Sequence, residues 1–175
     1  KMDCEASDSV LEIGIGTGTS YKYYPSETSV IGIDISPDML DKAKRFIQKD
    51  NLQNKSVLMM NGEQLKFPDN SFDKVVGMYV VSVTQNPDLL IQEMKRVCKP
   101  NGDIYLVNHF SFDTDNPLIK LVEKGLMPVS KYLGWRPYFP FSEFNAYAKL
   151  NVQSISKTNL FDYWGIIHAI NSPID

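Results

Sequence analysis

Cysteine is scarce in this chain: Cys4 and Cys98 stand far apart, outside any C-x-x-C spacing, and offer neither a disulfide framework nor a zinc site. Histidine is as rare, with His109 and His168 alone, and no run of His, Cys, Asp and Glu has metal-ligand spacing. A basic excess is lacking too. Against 18 Lys and Arg stand 21 Asp and Glu, a formal charge of −3 and a pI near 5.4, so no long-range positive field exists to hold nucleic acid. No apolar run reaches the roughly eighteen residues of a membrane-spanning helix, and Lys1 to Glu5 lack the apolar stretch of a signal peptide. A cytoplasmic protein is expected. Because the chain begins with Lys1 and its first strand follows closely, an N-terminal cap or membrane-docking helix is expected upstream. No internal repeat or low-complexity tract is evident.

What is present reads as one domain over residues 1–175, with hydrophobic residues at 43% and charged residues at 22%, close to ordinary globular usage. Strand-like and helix-like runs alternate, the signal of βαβ units and a largely parallel sheet in an α/β fold. Strands are predicted at Ser9 to Ile15, Val30 to Ile35, Val57 to Met60, Phe72 to Val83, with a short helical turn as the alternative for its last residues, and Asp103 to Val107. Ser36-Pro37 opens a helix to about residues 48–50 with Met39, Leu40, Ala43, Phe46 and Ile47 on one face. Asn86-Pro87-Asp88 opens a second, and Lys99-Pro100-Asn101-Gly102 stops it. A further helix is predicted from Asp115 to about Leu133, and segments near 152–157 and 163–170 as a closing antiparallel pair.

Leu11-Glu12-Ile13-Gly14-Ile15-Gly16-Thr17-Gly18 places glycines at alternate positions between a strand and a short helix, a turn that lets backbone approach a ligand closely. Its spacing departs from the dinucleotide fingerprint G-x-G-x-x-G, because the third glycine comes one place early and Thr19 follows. The same turn would also serve as a plain tight connection. Asp34, ending the second strand, supplies a carboxylate able to accept both hydroxyls of a ribose, although an Asp before Ser-Pro is also an ordinary turn residue.

Four runs, E-I-G-I-G-T-G, G-I-D-I-S-P-D-M-L, N-G-E-Q-L-K-F-P-D-N-S-F-D and R-V-C-K-P-N-G, match in order and spacing those of class I S-adenosylmethionine-dependent methyltransferases, which the chain resembles. The resemblance implies a Rossmann-like, seven-stranded, mostly parallel sheet with an antiparallel last strand and helices on both faces. It places the donor's amino-acid end near Glu12, Gly14, Gly16, Thr17 and Gly18, its ribose on Asp34, and its adenine near Ile35, Met39, Asn61, Gly62 and Glu63. Asn61 stands where this family often carries Asp, and an amide oxygen can still accept from the adenine amino group. Met78 and Tyr79 would face the sulfonium and the acceptor; a Tyr in a strand is also an ordinary core residue.

Methyl transfer from a sulfonium is an in-line displacement that needs alignment, exclusion of water and, for an amine, removal of a proton, but no metal. His109, just after the fifth strand, is the candidate general base, and a His hydrogen-bonded to a neighbouring loop is the alternative; His168 is read as structural. V-N-H-F, L-G-W-R-P-Y-F-P-F and M-Y-V-V-S-V-T further resemble the soluble bacterial phosphatidylethanolamine N-methyltransferases. That resemblance implies stepwise methylation of a phospholipid headgroup at an anionic membrane surface, with peripheral attachment at the inner face. Asn108 and Trp135 would contact substrate, and Arg136 would hold the phosphate; the aromatic run from Trp135 to Phe141 would equally pack over the last strands. Competing readings are a C- or O-methyltransferase on a quinone precursor and a donor- or lipid-binding module without turnover. The sequence does not set the oligomeric state.

Overall fold

Alternation along each strand decides which side chains meet which helix. In the computed structural model, which describes residues 3–109, 149–158 and 164–172, strand β1 (Ser9–Ile13) points Leu11 and Ile13 to one face of the sheet and Val10 and Glu12 to the other. Helix α1 (Pro37–Lys49), capped by the Ser36 hydroxyl on the Met39 N–H, buries Leu40 and Ala43, Leu40 in one cluster with Val10. Helix α2 (Pro87–Val97), capped by the Asn86 side chain on the Leu89 N–H, buries Leu90, Ile91, Met94 and Val97 with Leu11 and Ile13. The two helices therefore cover opposite faces.

Between β1 and β2 (Ser29–Asp34) the chain makes only a single-turn 3-10 helix (Thr19–Tyr23). Then come β3 (Lys55–Met59), β4 (Phe72–Met78), β5 (Cys98–His109), β6 (Asn151–Thr158) and β7 (Trp164–Ile170). The sheet has seven strands in the order β3-β2-β1-β4-β5-β7-β6; β1 to β5 are parallel, and β7 runs antiparallel between β5 and β6. The sequence expectation of a mostly parallel, seven-stranded sheet with an antiparallel last strand holds.

Several strand boundaries differ from the sequence expectation, the end of the fourth strand and the start of the fifth the most. The fourth strand stops at Met78 instead of running to Val83, because Tyr79 takes a left-handed φ of 54° and the Val83 and Thr84 amides turn back onto the Val80 carbonyl. The fifth strand starts earlier, at Cys98: it pairs with Phe72, bulges through Asn101 (φ 61°) and resumes pairing at Asp103 opposite Lys74. The helix predicted for 115–133 lies outside the described residues. Among the described residues, no helix is long and apolar enough to cross a membrane.

Candidate active site

Strand order reverses between β1 and β4, since β2 and β3 add on one side and β5 on the other. At such a reversal the loops leaving the carboxyl ends of the two strands diverge and open a crevice. A cleft of about 400 Å³ lies there, between Gly14 after β1 and Met78, Tyr79 and Val80 at the end of β4, and it extends past Asp34 and Ile35 to Asn61, Gly62 and Glu63.

Of the glycine turn, Gly14 lines the cleft, while Gly16, Thr17 and Gly18 are not among its lining residues. Gly14, Gly16 and Gly18 all have left-handed φ, at 81°, 55° and 78°. A Cβ on Gly14 would lie 2.7 Å from the Met78 carbonyl oxygen, so this glycine lets the loop close against β4; Gly16 has open space around it. Most amides of the turn are already engaged: those of Gly14 and Ile15 donate to the Ile33 carbonyl at 2.9 and 3.0 Å, that of Gly16 to Asp34 Oδ2 at 2.9 Å, and that of Gly18 to the Ile15 carbonyl at 3.0 Å. For the Thr17 N–H the described residues supply no acceptor.

Asp34 also accepts from the Ser36 N–H on Oδ1, at 2.9 Å. Each carboxylate oxygen thus keeps a lone pair, Asp34 lines the cleft, and the spacing of two carboxylate oxygens suits vicinal hydroxyls. An open glycine cradle beside a carboxylate fixed by two amides fits the methionine and ribose parts of S-adenosylmethionine. Ile35, 72% exposed, presents apolar surface in the cleft lining; Met39, 38% exposed, is not among the lining residues.

Glu12 lies beneath the turn, 1% exposed and outside the cleft lining. It accepts from the Ser20 hydroxyl at 2.7 Å and the Tyr24 hydroxyl at 2.9 Å, and burial pushes its carboxyl up to about 7. Glu12 therefore supports the turn and does not face the ligand. Asn61 accepts the Glu63 N–H at 2.9 Å, and Glu63 Oε1 accepts from the Thr84 hydroxyl, the Gln85 N–H (2.8 Å) and the Asn86 N–H (3.0 Å); these bonds, Thr84 foremost, hold its carboxyl below the usual range.

On the acceptor side Tyr79 is 47% exposed, its amide bonded to the Val107 carbonyl at 2.7 Å, and partial burial raises its phenol above the usual range. The hydroxyl therefore stays protonated at neutral pH. Asn108 is fully buried and accepts from the Ser82 hydroxyl at 3.2 Å, beneath the segment that follows Tyr79. His109 ends β5, opposite Trp164 in register, at the same sheet edge. Trp135 and Arg136 lie outside the described residues. His168 meets Asp103 at 2.7 Å and stacks on Tyr105, away from the cleft.

Val80, Val83, Thr84 and Gln85 also line the cleft; the first two fall inside the strand predicted for Phe72 to Val83, and the other two between that strand and the helix opened by Asn86. The polar pair Thr84-Gln85 before Asn86-Pro87 was the available signal for a loop there. Among the described residues no three His, Cys, Asp or Glu side chains gather to hold a metal.

This crevice, glycine turn and strand-end aspartate define an S-adenosylmethionine-dependent methyltransferase; a model described as a methyltransferase domain matches residues 11–106, and the chain belongs to that family. Among its relatives, a phosphatidylethanolamine N-methyltransferase of Cereibacter sphaeroides is 40% identical over 144 residues, covering 82% of this chain and 70% of that protein. The uncharacterized methyltransferase YcgJ of Bacillus subtilis is 28% identical over 172 residues, covering 93% and 66%. Its crystal structure superposes with a TM-score of 0.75 at 25% identity, covering 90% of this chain and 68% of that one. A demethylmenaquinone methyltransferase of Lactobacillus johnsonii is 31% identical over 156 residues, covering 86% and 57%.

Proposed function

We propose that this chain transfers methyl groups from S-adenosylmethionine to the amine of phosphatidylethanolamine, acting peripherally at a membrane surface. The observation that carries the reading is the 40% identity to a phosphatidylethanolamine N-methyltransferase across 82% of the chain. The donor supplies an electrophilic methyl on a sulfonium. The residues do the rest: the turn from Gly14 to Gly18 and Asp34 hold the donor, and Tyr79 orients the amine by its hydroxyl and ring face. Its protonated phenol does not take the ammonium proton, and His109, whose backbone ends β5, is proposed as the base. Arg136 and Trp135 are proposed to grip the phosphate and the interface, and Asn108 to brace the acceptor segment from below.

The test incubates the protein with methyl-labelled S-adenosylmethionine and, separately, phosphatidylethanolamine vesicles and demethylmenaquinone. Label in the lipid headgroup supports the reading. Label in the quinone alone overturns it in favour of C-methylation, the alternative that the 31% relative keeps open. Donor binding with no label in either points to a binding module.

A further inference from the structure

Glu63 makes a connection that donor binding alone does not require. Its backbone belongs to the wall of the cleft formed after β3, where the Asn61 side chain and the Gln64 amide, bonded to the Asn61 carbonyl at 3.1 Å, close a tight turn. That turn is braced from behind by α2: Arg96 donates to the Leu65 carbonyl at 2.9 Å and the Phe67 carbonyl at 2.8 Å, while Glu93 accepts the Leu65 N–H at 2.7 Å. The Glu63 side chain then reaches across to the other wall. One oxygen gathers the Thr84 hydroxyl and the Gln85 and Asn86 amides, three donors just ahead of α2, where a negative charge also suits the helix N-terminus. The segment so held begins at Tyr79, whose left-handed backbone is followed by the turn onto the Val80 carbonyl. A carboxylate anchored on the donor wall therefore fixes the far end of the acceptor-side segment.

We propose that Glu63 is a positioning residue that couples the two walls of the cleft, so that seating the donor against the turn at Asn61 to Glu63 orders the segment 79–86 and sets Tyr79 for the acceptor. This rests on the methyltransferase reading. Because coupling is reciprocal, a bound acceptor tightens donor binding by the same factor.

The test follows amide hydrogen exchange in 79–86 with and without saturating S-adenosylhomocysteine, the demethylated product, and so needs no acceptor. In the unchanged protein exchange slows about fivefold or more on binding; in Glu63→Ala product still binds but the slowing shrinks to about twofold or less, and Glu63→Gln, which keeps an oxygen acceptor, restores most of it. With phosphatidylethanolamine vesicles, Glu63→Ala lowers kcat about tenfold while the KM for the donor moves about twofold or less. Equal slowing in Glu63→Ala and the unchanged protein, or none in either, overturns the coupling alone. Loss of product binding in Glu63→Ala makes the residue a donor ligand and overturns it as well. No affinity for the product in the unchanged protein removes the donor reading itself. Should Glu63→Ala fail to fold, Thr84→Val keeps the carboxylate and removes one donor: reduced slowing with intact binding supports the coupling, and undiminished slowing overturns it.

Discussion

The Glu12 carboxyl sits one strand position from the glycine turn yet faces the opposite side of the sheet, where Ser20 and Tyr24 close over it. The alternation of β1 explains this, since a carboxylate two places before Gly14 lands on the α1 face with Val10. Burial raises its folded pKa from 4.5 to about 7, so between those values the native state holds a proton that the unfolded chain has lost. Stability therefore falls as pH rises from 4.5 through 7, by up to about 3 kcal/mol at 1.36 kcal/mol per unit. Glu12→Gln should flatten that slope in urea titrations run between pH 4.5 and 8; an unchanged slope would place the effect elsewhere. Asp34 carries the other residue-scale expectation. Asp34→Ala removes the ribose acceptor together with the bonds to the Gly16 and Ser36 amides, and calorimetry with S-adenosylhomocysteine should show at least about a tenfold loss of affinity, the scale of one hydrogen bond to a charged group. Asp34 and the glycines were legible in the sequence because their chemistry is local. The Glu63 bridge was not, because its partners lie 21 to 23 positions away and only the fold brings them near.

Among the elements, the helices were easiest to read, since Ser36-Pro37 and Asn86-Pro87 each combine a capping side chain with a proline at the first helical position. Strand β4 was misread at its end because a left-handed Tyr leaves no mark comparable to a glycine. Asn86→Ala should lower stability by about 1 kcal/mol, measured by denaturant unfolding, through loss of the cap alone. Arg96→Met goes further: it strands the Leu65 and Phe67 carbonyls and frees Glu93, and a loss of roughly 1–3 kcal/mol is expected. If the loop after β3 owed its shape to local turns alone, Arg96→Met would cost no more than Asn86→Ala.

Over the whole molecule, the reversal of strand order opens one crevice, and Gly14, Asp34, Ile35, Asn61, Gly62 and Glu63 all line it. The order itself was only partly legible. Alternating strands and helices announced β1 to β5, but the closing pair showed as two apolar runs with nothing to say that β7 lies inside β6. The core beneath this pair is continuous with α2: Ile167 and Ala169 are fully buried with Ile104, Leu106 and Met94. Ile167→Ala should therefore cost about 2–5 kcal/mol in a single cooperative transition, as for a central core residue, and not the small loss of a frayed edge.

The placement of β7 has a consequence for synthesis. During translation β6 leaves the ribosome before β7, the strand it pairs with among the described residues, and β5 likewise waits for β7 on one flank. That half of the sheet cannot assemble progressively as the chain lengthens; it snaps shut late, when β7 slots between two strands made earlier, and until then both bare flanks are available to chaperones or to aggregation.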